Sequence, residues 1–227
     1  MDADRLAENL KSVEAHIRDA ERRAGRPAGM AKLVAVTKRR PVEAVRALVD
    51  LGVHNLGENY PQELWEKVDT LAGLDARWHL IGHLQGNKAR RTLPMVGMLH
   101  GVDSLKLLKA LDEQSATLIE PPMACLQVNL TGEPSKYGWA ADAILADAEA
   151  IAGCRHLRVV GLMTMAAEGG EARPCFVALR SLRDELRART GLDLDELSMG
   201  MSGDYVEAVE EGATWVRVGS TLFEGVG

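Results

Sequence analysis

The sequence has 227 residues, 46% hydrophobic and 26% charged, with a formal net charge of −6. The length suffices for a full core in one domain or two, while the acidic balance and the low aromatic content, 4%, argue against a general nucleic-acid binder. No apolar run approaches the ~20 residues that cross a bilayer. The acidic start Met1-Asp2-Ala3-Asp4 is unlike a secretory signal, and Cys125, Cys154 and Cys175 form no C-x-x-C pair, so a reducing cytoplasmic setting without membrane, disulfide or metal framework is expected.

Leu6, Leu10, Val13 and Ile17 recur as one stripe of an amphipathic helix. The helix begins acidic and ends in Arg22-Arg23-Ala24-Gly25-Arg26-Pro27, the charge order and stop signals a helix favours. One leading helix is therefore expected within 1–30, ahead of the alternating pattern of 33–227. The first strand, 33–37, is short, apolar and β-branched and runs straight into Lys38. Pro41 then opens a helical pattern (Val42, Val45, Leu48, Val49) that Gly52 closes.

Further strands are read at 54–57, 78–81, 98–102, 125–130, 157–163, 195–199 and 214–218. Between them lie helices marked by Leu64, Trp65 and Val68, by a start near Asn87, and by Leu105, Leu108 and Leu111. An Ala-rich helix follows at 141–152, then a long one with Phe176, Leu179, Leu182 and Leu186, and one from Ser202 with Val206 and Val209. Eight such units fit a closed eightfold barrel or an open doubly wound sheet. The open sheet usually carries a Gly-rich turn after its first strand, and Thr37-Lys38-Arg39-Arg40 is nothing like one. The expected fold is α/β, a single (β/α)8 TIM-type barrel with one extra N-terminal helix, forming one domain over 1–227.

A barrel places its site at the C-terminal strand ends, often with phosphate beneath the loops after strands 7 and 8. Lys38 lies at such an end. Held against apolar walls, its ammonium would lose hydration and become a free-amine nucleophile toward carbonyls; snorkelling to solvent beside Arg39 and Arg40 suits the same position. The loops Ser198-Met199-Gly200-Met201-Ser202-Gly203-Asp204 and Gly219-Ser220-Thr221 offer small residues, hydroxyls and backbone N–H groups for an anion, although Ser202 also suits a helix cap and Gly219 a plain turn. Arg217 interrupts an apolar strand and needs acceptors, from an ion pair or at the strand's solvated end. Lysine, anion loops and inward arginine together suit pyridoxal 5′-phosphate, which has an aldehyde, a phosphate and a ring nitrogen. His79 and His83 span a strand end rather than a helix face, so no metal site is expected. Gly86-Asn87-Lys88-Ala89-Arg90-Arg91 reads as a solvated helix start, and the 132–138 loop as a connection or a lid.

The sequence resembles the pyridoxal phosphate homeostasis family, small barrel proteins similar to the N-terminal barrel of alanine racemase. The resemblance covers nearly the whole chain. It is carried by Val34-Ala35-Val36-Thr37-Lys38, Gly57-Glu58-Asn59-Tyr60-Pro61-Gln62-Glu63 and Trp78-His79-Leu80-Ile81-Gly82-His83-Leu84-Gln85-Gly86-Asn87-Lys88, and continues in Gly161-Leu162-Met163, Ser198-Met199-Gly200-Met201-Ser202 and Val216-Arg217-Val218-Gly219-Ser220. It implies that Lys38 forms the internal aldimine, that Ser202 with Gly219 and Ser220 holds the phosphate, that Arg217 faces the pyridine nitrogen and that Asn59 approaches the cofactor. It departs at Glu224, where the family usually ends close to Phe-Gly.

The resemblance further implies a binding protein with no catalytic residue, a monomer or weak dimer that stores, shields or delivers the cofactor, with apo-enzymes as partners. The alternative is an enzyme, a racemase-like one on the same cofactor or, more remotely, a cofactor-free Schiff-base aldolase. Alanine racemase follows its barrel with a β-domain that lends a tyrosine acid–base group. Here the barrel uses up the chain, and Tyr60, Tyr137 and Tyr205 lie in no comparable segment.

Overall fold

The computed structural model describes residues 2–134 and 136–227. A helix, α1 (Ala3–Arg23), precedes eight strands: β1 (Lys32–Val36), β2 (Asn55–Glu58), β3 (Arg77–Leu80), β4 (Met98–Val102), β5 (Met123–Gln127), β6 (Arg158–Met163), β7 (Glu196–Ser198) and β8 (Trp215–Val218). All neighbours pair in parallel in chain order, and β8 pairs with β1, so the barrel closes as expected. The connections carry α2 (Val42–Asp50), α3 (Pro61–Thr70), α4 (Gly86–Thr92), α5 (Leu105–Ser115), α6 (Ala141–Ala146), α7 (Ala148–Ala152), α8 (Arg173–Thr190) and α9 (Tyr205–Glu210).

Local chemistry sets these boundaries. Asp2 caps α1 by accepting the Arg5 N–H at 3.0 Å, and Ser104 caps α5 by accepting that of Leu107 at 3.3 Å. The outer strand faces pack against the helices through residues such as Leu48, Leu64, Leu108 and Phe176. The lumen is filled by Val34, Met98, Cys125, Met163 and Trp215, so it is a packed core rather than a pore. Burial pushes the Cys125 thiol well up, which makes it an inert core group. Asn9 of α1 donates to the carbonyls of Leu222 and Glu224 at 3.0 and 2.8 Å, fixing the last turn around the departure at Glu224.

Most strand bounds move by one residue, and three readings change by more. The fifth strand covers 123–127 instead of 125–130, because Trp139 pairs with Gln127 and Asn129 and draws the chain out of the sheet. The helix expected at 141–152 breaks at Asp147, whose carboxylate accepts the Trp139 indole N–H at 2.9 Å. The helix expected from Ser202 starts at Tyr205.

Candidate functional site at the barrel mouth

Lys38 follows β1 at the C-terminal end of the barrel, where the sequence places it. Of the two readings of its surroundings, apolar walls or solvent, the structure matches the second. The buried run ends at Thr37, and the chain turns outward through Lys38 and Arg39, which adopts a left-handed φ of 59°. Lys38 is exposed, and its amine makes no ion pair or hydrogen bond among the described residues. The turn itself is firmly held. The Thr37 carbonyl accepts the Arg40 N–H at 3.0 Å and the Lys67 ammonium at 2.7 Å, and the Arg39 N–H donates to Glu63 at 3.0 Å. Beneath it, Glu58 Oε1 accepts from Thr37 and Lys67, each at 2.6 Å, in a buried triad. Burial outweighs Lys67 and holds the Glu58 carboxyl above its usual range. A primary amine is thus open to the mouth on a rigid base.

The loops after β7 and β8 meet. Ser202 Oγ accepts the N–H groups of Gly219 and Thr221 at 3.1 and 3.4 Å, and the Thr221 hydroxyl donates to the Ser202 carbonyl at 3.3 Å. Ser202 therefore joins the two loops rather than capping α9, and the Met201 N–H goes instead to Asp204 at 2.6 Å. The N–H groups of Ser202, Gly203 and Ser220 have no protein acceptor among the described residues. The same strand packing brings β1 alongside, since a methyl group on Gly219 would come within 3.1 Å of Val36 Cβ. Donors of both loops thus gather next to the strand that leads to Lys38, an anion cradle in its chemistry.

Arg217 is buried, as its strand pattern requires. Its guanidinium donates to Ser198 Oγ at 2.6 Å and to the Thr164 carbonyl at 3.1 Å. No carboxylate pairs with it among the described residues, so the ion-pair alternative is not realised. Burial pushes its pKa down to about 10, which leaves it charged at neutral pH.

Asn59 follows β2, half-buried under the neighbouring loop. A Cβ on Gly82 would lie 2.2 Å from the Asn59 carbonyl oxygen and 2.7 Å from its Oδ1, so only glycine permits this approach. Gly82→Ala is expected to displace the end of β2 and cost about 1–3 kcal/mol of overpacking, measurable by urea unfolding; unchanged stability would mean Asn59 is not wedged there. No hydrogen bond links Lys38, Asn59 and Arg217 to one another among the described residues; each lies at or just past the C-terminal end of its strand.

The two histidines have separate partners. His79 lies inside the barrel against His100, and His83 sits at the mouth with Nδ1 2.5 Å from Asp103 Oδ2. Tyr137 stacks on the His83 ring with centroids 4.4 Å apart. The 132–138 loop is tied down here, its Tyr137 carbonyl accepting from Gln127 at 2.7 Å and Lys136 donating to the Ala166 carbonyl at 2.9 Å; Ser135 lies outside the described residues. The His83–Asp103 pair is an oriented imidazole that sequence spacing did not reveal, because its partners come from different strand ends. A cavity of about 1100 Å³, lined by Trp78, Val96, Ile119, Met123 and Arg158, opens at the opposite end of the barrel, where barrels carry stability rather than chemistry.

Residues 2–225 match the family model described as alanine racemase, N-terminal domain. The pyridoxal phosphate homeostasis protein of Pseudomonas aeruginosa is 43% identical over 218 residues, covering 96% of this chain and 94% of that protein. The chain belongs to the pyridoxal phosphate homeostasis family. The human member is 38% identical over 231 residues, 94% of this chain and 84% of its own. Among solved structures, PipY of Synechococcus elongatus with pyridoxal phosphate bound superposes with a TM-score of 0.86 at 37% identity, covering 96% of this chain and 99% of PipY. Alanine racemase of Corynebacterium glutamicum, 19% identical with a TM-score of 0.75 over 98% of this chain and 61% of its own, shares the fold.

Proposed function

We propose that this family member is a non-catalytic, cytoplasmic binding protein for pyridoxal 5′-phosphate, a single-domain monomer or weak dimer that stores, shields or delivers the cofactor to apo-enzymes. The observation that carries this reading is the buried, uncompensated Arg217 in a mouth that also holds an unpaired amine and unpaired loop N–H groups. That donor set fits the group: a primary amine for an aldehyde, N–H donors for a phosphate, a guanidinium for a ring nitrogen. When bound, the cofactor supplies an aldehyde that condenses reversibly with an amine, with loss of water.

The protein's residues then have defined tasks. Lys38 provides the nucleophile, on a turn fixed by Thr37, Glu58 and Lys67. Ser202, held in place by the N–H groups of Gly219 and Thr221, keeps its own proton to donate to a phosphate oxygen, beside the N–H of Ser220. Asn59 lines the side next to Lys38. Arg217 can only donate, so a ring nitrogen facing it is kept unprotonated, and such a ring withdraws electrons weakly. That suits retention over turnover.

Pyridoxal 5′-phosphate added to the wild-type protein is expected to give a visible absorbance band, and Lys38→Ala to lose it. Retention of the band in the variant would assign the link to another lysine. The His83–Asp103 pair favours a second reading, racemase-like proton transfer, because it supplies an oriented acid–base group. α-Proton exchange of L- and D-alanine in deuterated water, followed by NMR, separates the two. The binding reading predicts at most a trace, whereas turnover near the enzymatic median of about 10 per second would favour the racemase.

A further inference from the structure

The lumen of the barrel holds a polar line that the binding scheme does not use. It runs from Arg217 Nη1 to Ser198 Oγ at 2.6 Å, from Ser198 Oγ to His100 Nδ1 at 2.6 Å, from His100 Nε2 to His79 Nδ1 at 2.9 Å, and from His79 Nε2 to Asn55 Oδ1 at 3.2 Å. The His100–Ser198 step crosses from β4 to β7. Both histidines and Ser198 are fully buried. The line is sheathed by the apolar lumen, with the Trp215 ring 5.1 Å from His79 and 6.3 Å from His100.

Donor rules give this line a direction. An amide oxygen only accepts, so His79 Nε2 carries hydrogen toward Asn55. Both imidazoles are neutral: burial, aided by Arg77 and Lys32, takes His79 down to about 3, and burial with His79 and Arg217 takes His100 far below its usual value. Neutral His79 therefore accepts at Nδ1, and neutral His100 donates from Nε2 and accepts at Nδ1. Ser198 gives its proton to His100 and presents its lone pairs to Arg217. Every acceptor end points toward the guanidinium. The charged or titratable groups around this line are Lys32 and Arg77 by His79, and Cys125 and Asp204 by Arg217. Glu196 lies beyond Cys125 and pairs with Lys32 at 3.8 Å.

We propose that His79 and His100 are positioning residues for Arg217: the one-way chain from Arg217 through Ser198, His100 and His79 to Asn55 orients the guanidinium with aligned dipoles instead of a carboxylate. Its charge is thereby left uncancelled and acts on the ring nitrogen of a bound cofactor. A carboxylate in the same place would orient the arginine equally well but neutralise it. Aligned neighbours also polarise one another, strengthening each bond. This inference rests on the cofactor reading above for its target, but not for the chain itself.

The test has two arms. In ligand-free wild-type protein labelled with ¹⁵N-histidine, long-range proton–nitrogen NMR is expected to show His79 and His100 as neutral Nε2–H tautomers that do not titrate between pH 5 and 8. An Nδ1–H tautomer, or protonation within that range, would overturn the chain's direction. In the second arm, ¹⁵N-labelled pyridoxal 5′-phosphate is bound to wild type, to His100→Asp and to His79→Phe, and the ring-nitrogen shift is followed with pH alongside the melting temperature. His100→Asp is expected to raise the ring-nitrogen pKa by roughly one to three units, the effect of an added nearby anion. His79→Phe, which cuts the line one step further out, is expected to move it less, in the same direction. A lowered melting temperature with an unchanged ring-nitrogen titration in whichever variant folds would reduce the histidines to packing and overturn the proposal. Failure of wild type to bind the cofactor would instead sink the binding reading and leave the tautomer result standing.

Discussion

Lys67→Met is expected to lower stability by about 3–5 kcal/mol, the usual cost of stranding one partner of a buried ion pair. For a chain of this length, at roughly 2–4 °C per kcal/mol, the melting temperature should fall by about 6–20 °C. Lys67 supplies both the positive partner of Glu58 at 2.6 Å and a donor to the Thr37 carbonyl at 2.7 Å. Glu58 Oε2 already lacks a partner, so loss of Lys67 leaves a buried carboxylate with only the Thr37 hydroxyl. The loss has a pH signature. The Glu58 carboxyl is raised by burial, and a raised folded-state pKa adds stability at low pH that is lost as pH rises through it. Removing Lys67 raises it further, so the variant should recover part of its deficit on mild acidification. Thermal unfolding from pH 5 to pH 8 checks this. Glu58→Leu combined with Lys67→Met should restore most of the lost stability, since no charge is then left buried. A Lys67→Met deficit that is small and independent of pH would mean that the triad contributes little to the Lys38 turn.

Pyridoxal 5′-phosphate is expected to bind at least about 100-fold more tightly than pyridoxal, which has the same aldehyde and ring but no phosphate. Two charge-assisted hydrogen bonds at roughly 1.5–3 kcal/mol each account for that ratio at 1.4 kcal/mol per tenfold. Ser202→Ala removes one of them and should weaken pyridoxal 5′-phosphate by about 10- to 100-fold while leaving pyridoxal nearly unaffected. Equal affinities for the two compounds, or equal losses in the variant, would show that the β7 and β8 loops do not hold the phosphate. The comparison is internal, so a general loosening of the barrel mouth, which would weaken both ligands, is told apart from loss of the phosphate site.

Much of this arrangement was legible in the sequence, for physical reasons that differ by element. The strands announce themselves because a lumen packed on both sides demands apolar runs such as Val34-Ala35-Val36 and Trp215-Val216, and Arg217 stands out against that background. The loops after β7 and β8 were legible from small residues at the right strand ends. The exposure of Lys38 was not, because it depends on the left-handed turn at Arg39, which no local pattern of non-glycine residues signals. The break at Asp147 depends on a hydrogen bond from Trp139, outside the helix altogether. His83–Asp103 and the His79–His100–Ser198 line join different strands, so only closure of the barrel brings them together. Their one sequence trace is a polar residue inside an otherwise apolar strand, His79 beside Trp78 and Leu80 and His100 beside Leu99.

Covalent capture at Lys38 is the centre of this account, and the lysines differ sharply in their readiness for it. Lys67 is buried against Glu58, Lys136 is bound to Glu133 at 2.7 Å and to the Ala166 carbonyl, and Lys32 lies over Trp215 at the far end of the barrel. Lys38 alone combines the strand end, the mouth and an unengaged amine among these four. The most direct test is borohydride reduction of the wild-type protein saturated with pyridoxal 5′-phosphate, followed by digestion and peptide mass spectrometry. The predicted result is one reduced phosphopyridoxyl adduct per chain, on the peptide containing Lys38. A principal adduct on Lys136 or another lysine, or no adduct at saturation, would contradict the account.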